Sequence, residues 1–207
     1  MPTLYTMPGT CALAPNIAAA WIDAPVEVKV LARGDHKKDA YLSINPKGKV
    51  PALQMDDGEV LTEAAAIMAW LGATYGGEGY ARDTKLGRQE AEALSWMTTE
   101  VHGAFGPHFA PDAYADSEAA QKEVLAKTYA RLDAHFARMD EILARAGEWY
   151  LGERSFADAY LYTAVRWLDL VPLSLDDYPA LRAHRDRMEA DADVRMALAR
   201  QKMDPQT

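Results

Sequence analysis

Along residues 1–77 the spacing of apolar and polar positions changes period several times. Thr3 to Met7 is short and apolar, Leu13 to Ile22 is alanine-rich with helical spacing, and Val26 to Leu31 alternates apolar and charged residues as a half-buried strand does. A polar stretch, Ala32 to Asp39, reads as a loop before a short helical piece at Ala40 to Ile44. Pro51 to Met55 and Glu59 to Leu61 flank Asp56-Asp57-Gly58, and an aspartate-glycine pair there is a strong hairpin-turn signal. Thr62 then opens a helix to about Tyr75. The order β-α-β-α-β-β-α predicts a four-stranded mixed sheet whose last two strands form an antiparallel hairpin.

The glycines of Gly76-Gly77-Glu78-Gly79 interrupt this pattern and read as a linker. Everything after Asp83 reads as helix. Lys85 to His102 places Leu86, Ala93, Leu94, Met97 and Val101 at helical spacing, and Pro107 and Pro111 end or kink that run. Ser117 restarts the pattern for a long helix over Glu118 to Ala146. Ser155-Phe156-Ala157-Asp158 is a capping-box signal before an apolar helix, Ala159 to Val171, and Tyr178-Pro179 and Asp191 mark two further helix starts. The expected organisation is an α/β domain at residues 1–77 followed by an all-helical domain at 84–207.

Composition narrows the function classes. With 207 residues, 49% of them hydrophobic and 26% charged, the chain has the profile of an ordinary globular protein. No apolar run approaches the roughly 18 residues that cross a bilayer, and the N-terminus lacks a basic stretch followed by an apolar core. The expected compartment is therefore the cytoplasm, with no membrane partner. A net charge of −9 argues against nucleic acid. One cysteine forms no intramolecular disulfide, and without clustered histidines no metal site is expected.

That cysteine, Cys11, falls where the first strand meets the first helix. Unpaired N–H groups and the positive end of a helix dipole stabilise a thiolate at such a place, which makes Cys11 a candidate for chemistry. The plainer reading is a small buried hydrophobe.

Two segments decide between these readings: Asn45-Pro46-Lys47-Gly48-Lys49-Val50-Pro51-Ala52-Leu53 and Leu61-Thr62-Glu63-Ala64-Ala65-Ala66-Ile67. Together they resemble the signature of the glutathione transferase family, in which the first segment precedes a cis-proline and the second opens a helix at the tripeptide's glutamyl end. An extended Val50-Pro51 pair exposes a valine N–H and C=O that can pair with a peptide ligand as an added strand does. Glu63 offers an anion for the ligand's ammonium, and the helix start at Ala64 offers donors for its α-carboxylate. Tyr5, Pro8-Gly9, Cys11-Ala12-Leu13, Glu100-Val101-His102 with Phe105, Pro107 and Phe109, and Ser155 to Leu161 are similar to motifs of the bacterial beta class.

The resemblance implies a thioredoxin-like first domain, a helical second domain, glutathione as co-substrate and a homodimer with its sites near the interface. It carries Cys11, His102 and Tyr5 over as catalytic candidates. Lys37, Lys38, Val50, Pro51, Glu63, Ala64, Ser95, Thr99 and Glu100 are carried over as glutathione-binding ones, together with Cys11 and His102. Lys37 and Lys38 are alternatives for the glycyl carboxylate, each with the competing reading of a solvated lysine. His102 reads as a hydrogen-bond partner or proton acceptor near the thiol, or as an ordinary satisfied helix histidine. Tyr5 reads more simply as packing, and Asp158 as a helix cap. Trp96, Phe105, His108 and Phe109 are candidates for an apolar co-substrate pocket. The chain departs from the class at Ala12, where a serine is usual, at Asn16, where a histidine is usual, and at Ser95, where an asparagine from the neighbouring subunit is usual.

The function implied is conjugation of glutathione to small hydrophobic electrophiles, with disulfide reductase or peroxidase activity through Cys11 as a further expectation. The alternative is a non-catalytic ligand-binding or regulatory protein of the same fold.

Overall fold

The computed structural model describes residues 1–80 and 83–206. Thr207, the last residue of the expected second domain, lies outside them. The first part is built from β1 (Thr3–Thr6), α1 (Leu13–Trp21), β2 (Glu27–Val30), α2 (Asp39–Leu42), β3 (Ala52–Gln54), β4 (Val60–Thr62) and α3 (Ala64–Tyr75). The sheet order is β2-β1-β3-β4, with β1 parallel to β2 and antiparallel to β3, and β3 antiparallel to β4. This is the four-stranded mixed sheet with a closing antiparallel hairpin that the pattern predicts, and the thioredoxin-like arrangement that the resemblance implies. Gly58, at φ 92°, makes the β3–β4 turn, a backbone region that suits glycine.

Alternation along the strands separates two apolar layers. Leu4 and Leu53 face α1 and α3, where they join Leu13, Ile17, Ile67 and Leu71 in the main core. Tyr5 and Ala52 point to the other face and form a smaller cluster with Leu31 and Tyr41. All nine residues of α1 are buried, because α3 covers one side of it and helices of the second part cover the other.

That second part comprises α4 (Lys85–Trp96), α5 (His102–Ala104), α6 (Gly106–Phe109), α7 (Glu118–Ala146), α8 (Phe156–Val165), α9 (Pro179–Ala190) and α10 (Ala192–Arg200). The apolar helix expected over Ala159 to Val171 is shorter: α8 ends at Val165 and a 3-10 segment, Arg166–Leu170, follows. α8 and α10 pack on α1, so one core crosses between the two parts. Asn16 on α1 anchors this junction: it is fully buried and donates from Nδ2 to the Ala197 carbonyl on α10 at 2.9 Å.

The glycine segment after α3 is no loose tether. Gly77–Tyr80 forms a 3-10 turn, and Tyr80 stacks on Phe156 with centroids 4.3 Å apart. A Cβ on Gly76 would sit 2.7 Å from both the Gly72 carbonyl and Tyr80, so only glycine fits. The run expected as one helix from Lys85 to His102 is also interrupted. Met97–Val101 is a π turn between α4 and α5. Thr98 donates to the Leu94 carbonyl at 2.8 Å and Thr99 to the Ser95 carbonyl at 2.9 Å. Hydroxyls returned to the carbonyls four residues back compete with the α-helical ladder at that point.

Candidate active site

The site begins at the β1–α1 junction. Ala12, just before α1, already has helical angles, and the first-turn N–H groups are taken. Ala12 N–H donates to Thr10 Oγ1, Leu13 N–H to the Thr10 carbonyl, and Ala14 N–H to the Cys11 carbonyl. The thiol donates instead toward the Val50 carbonyl at 3.8 Å. Cys11 is partly buried against the main core. Burial pushes its thiol from an ordinary 9.0 up to about 12; its own N–H and the Lys49 ammonium pull it down, and the Glu63 carboxylate pushes it up. The thiolate expected from a helix start is therefore not the resting state, because desolvation outweighs the donors left over.

Val50 lies at the head of β3, and the Val50–Pro51 peptide is cis, as expected. Its N–H has no partner among the described residues. Glu63 occupies the position before α3 at φ 72°, an unusual conformation for a residue with a side chain, and leaves its carboxylate exposed. It makes no side-chain cap, so the N–H groups at Ala64 and Ala65 are free to meet an anion. Lys47 reaches Thr62 Oγ1 at 2.8 Å and the Glu63 carboxylate at 3.5 Å.

The helical part supplies the far wall. His102 Nδ1 lies 2.8 Å from the hydroxyl of Tyr160 on α8. Trp167 packs 4.9 Å from the His102 ring centroid and donates its indole N–H to the Gly9 carbonyl at 3.2 Å. Burial holds His102 below the ordinary imidazole range, with Lys49 lowering it further and Glu63 opposing. Burial also raises the Tyr160 hydroxyl far above the ordinary phenol range, and the nearby Cys11 and Glu63 add to that. Cys11, Val50, Glu63, Lys49, His102 and Tyr160 thus share one electrostatic neighbourhood.

The other candidates sit elsewhere. Tyr5 donates to Gln54 Oε1 at 3.1 Å and meets Tyr41 edge-on at 5.5 Å, on the sheet face away from α1. That is the packing reading, and it places the Tyr5 hydroxyl on the opposite face of the sheet from the core that Cys11 packs against. Lys38 is paired with Asp35 at 2.7 Å, whereas the Lys37 ammonium reaches the Gly48 loop, 3.4 Å from where a Cβ on Gly48 would stand. Ser95 and Thr99 are exposed on the helix before His102, and Glu100 is ion-paired with Arg131 on α7. Ser95 borders a groove of about 290 Å³ between α3 and α4, lined by Ala65, Ala66, Ala69, Ala91 and Leu94.

Among the apolar candidates, Phe105 is fully buried, and Trp96 is half-buried and turns toward Arg138 and His135 of α7. His108 binds the Tyr129 hydroxyl at 3.2 Å, and Phe109 alone of the four is exposed. The sequence reading did not single out Lys49, Tyr160 or the specific role of Trp167. The lysine-rich run from Lys47 to Lys49 was the signal for the first. No local signal marked the other two, which are defined by partners far away in the chain.

Comparison with known proteins places this geometry. Residues 10–74 match the family model for the glutathione S-transferase N-terminal domain, and residues 120–187 match that for the C-terminal domain. A glutathione S-transferase of Xanthomonas campestris pv. campestris is 35% identical, covering 94% of this chain and 96% of that protein. The solved glutathione S-transferase from Xylella fastidiosa has a TM-score of 0.89 at 32% identity over 99% of this chain and 100% of that one. A sphingomonad glutathione S-transferase solved in complex with glutathione gives 0.85 at 32% identity over 98% and 100%. The chain belongs to the glutathione S-transferase family, and the protein is a glutathione transferase.

Proposed function

We propose that the protein conjugates glutathione to small hydrophobic electrophiles, in the manner of the beta class. The observation that carries the reading is the Cys11–Val50 contact at the head of β3, with the His102–Tyr160 pair on the helical side held beside the same loop by the Trp167–Gly9 hydrogen bond. Glutathione would extend along Val50, whose free N–H suits a peptide backbone, with its glutamyl end at Glu63 and the donors of Ala64. Its sulfur would then arrive between Cys11 and His102, with Lys37 or Lys49 near the glycyl carboxylate and exposed Phe109 beside the electrophile. The sphingomonad relative bound to glutathione supports the ligand.

The protonated Cys11 suits a donor that hydrogen-bonds the glutathione thiolate, while that thiolate attacks carbon and expels the leaving group. Disulfide reductase or peroxidase chemistry needs Cys11 itself as a thiolate, which burial opposes, so it ranks second. Turnover of a chlorinated nitroaromatic and of a mixed disulfide, each with and without Cys11→Ala, tests this order. Conjugation is expected to fall about tenfold, the worth of one hydrogen bond. Loss of both activities in the unmodified protein despite glutathione binding would sink the enzyme reading for these substrates.

A homodimer fits the α3–α4 groove, where alanines let a second copy approach closely and Ser95 faces outward. Light scattering should return about twice the 22.8 kDa chain mass, and a monomer at micromolar concentration would exclude the dimer. Among the described residues no helix is long and apolar enough to cross a membrane; a cytoplasmic, detoxifying role is part of the same proposal.

A further inference from the structure

We propose that Tyr160 is a positioning residue: its hydroxyl fixes His102 as the Nε2–H tautomer, so that His102 donates a hydrogen bond to the glutathione sulfur instead of taking its proton. The tautomer follows from this chain's own contacts, and the donor role rests on the placement of glutathione given above.

Tyr160 is 1% exposed, and the His102 ring nitrogen at 2.8 Å is the one hydrogen-bond partner of its hydroxyl among the described residues. A phenol has a single proton to donate. If Nδ1 carried the hydrogen and donated to the phenol oxygen, the phenol proton would be left buried with no acceptor at hydrogen-bond distance among the described residues. If the phenol donates to Nδ1, both groups are satisfied. The strong upward shift of Tyr160 keeps its proton on oxygen, and the downward shift of His102 keeps the ring neutral near pH 7. A neutral ring that accepts at Nδ1 carries its hydrogen at Nε2.

Nε2 has no partner among the described residues, so its hydrogen is available to a ligand. Trp167 holds the ring from a second side, tilted 59° at 4.9 Å, while hooked to Gly9 in the loop that leads to Cys11. With Nδ1 filled, this histidine has no lone pair left facing the site. The glutathione thiol therefore releases its proton to solvent. The thiolate that remains is held by the Nε2–H donor and attacks the electrophile, whose leaving group departs with the bond pair.

Two-bond proton–nitrogen correlation spectra of the 15N-labelled, glutathione-free protein read the tautomer directly. The expected result is an unprotonated Nδ1 and a protonated Nε2 for His102. In Tyr160→Phe the two tautomers should mix, and kcat for conjugation should fall about tenfold with KM for glutathione within twofold. His102→Gln, whose amide N–H reaches toward the Nε2 position, should retain at least tenfold more activity than His102→Ala. A hydrogen on Nδ1 in the unmodified protein, or an unchanged tautomer in Tyr160→Phe, overturns the assignment. A protein with the Nε2–H tautomer that neither binds nor turns over glutathione would overturn the donor role through the placement of the ligand, and leave the tautomer standing.

Discussion

In Asp158→Ala the midpoint of thermal unfolding should fall by about 10 °C, corresponding to about 3–5 kcal/mol at 2–4 °C per kcal/mol for a chain of this size. Asp158 is fully buried at the start of α8, and four donors converge on its carboxylate. Oδ1 accepts from the Tyr150 N–H at 2.8 Å and lies 3.1 Å from His184 Nε2. Oδ2 accepts from the Ser155 N–H at 2.9 Å and the Ser155 hydroxyl at 3.2 Å. Alanine would strand these donors inside the core, and leaving buried partners unmade is the expensive half of hydrogen-bond energetics. The helix that would lose its cap also carries Tyr160, so conjugation should weaken as the helix start frays. A loss below about 1 kcal/mol, measured by calorimetry or circular dichroism, would contradict this account.

The second large effect concerns Cys11. Against the ordinary value of 9.0, a thiol at about 12 has a thiolate population about nine hundredfold lower at pH 8. Greater basicity makes each thiolate a better nucleophile by about twentyfold at a Brønsted slope near 0.45, which leaves exchange with a small aromatic disulfide about fortyfold slow. Stopped-flow exchange on the glutathione-free protein checks this, and a rate equal to that of free cysteine would sink it. The same shift bears on stability. The folded thiol holds its proton where the unfolded one, near 9.0, gives it up. Its contribution is therefore complete below pH 9 and is lost as pH rises toward 12. Cys11→Ala should flatten that alkaline decline.

Much of the architecture was readable because its signals are local. Asp57-Gly58 sets the hairpin, Ser117 and Ser155 set helix starts, and the cis Val50–Pro51 peptide stands where the motif put it. What escaped depends on groups distant in the chain. The Tyr160–His102 contact spans 58 residues, and no periodicity encodes it. The π turn was hidden because threonines in a helix have two uses, and only the structure shows both Thr98 and Thr99 turned back on the backbone. Cys11 shows the competition most clearly. Its position at a helix start was read correctly, but Thr10 takes two of the N–H groups that would have favoured a thiolate, and burial decides the rest.

That π turn over Met97–Val101 also sets the register of everything after it. Its i→i+5 bonding takes in one residue more than an α-helical turn. Each residue of an α-helix advances about 100° around the axis, so removing one position at Thr98 or Thr99 would swing His102 by about that angle away from Tyr160. The extra residue keeps the histidine facing its partner on α8.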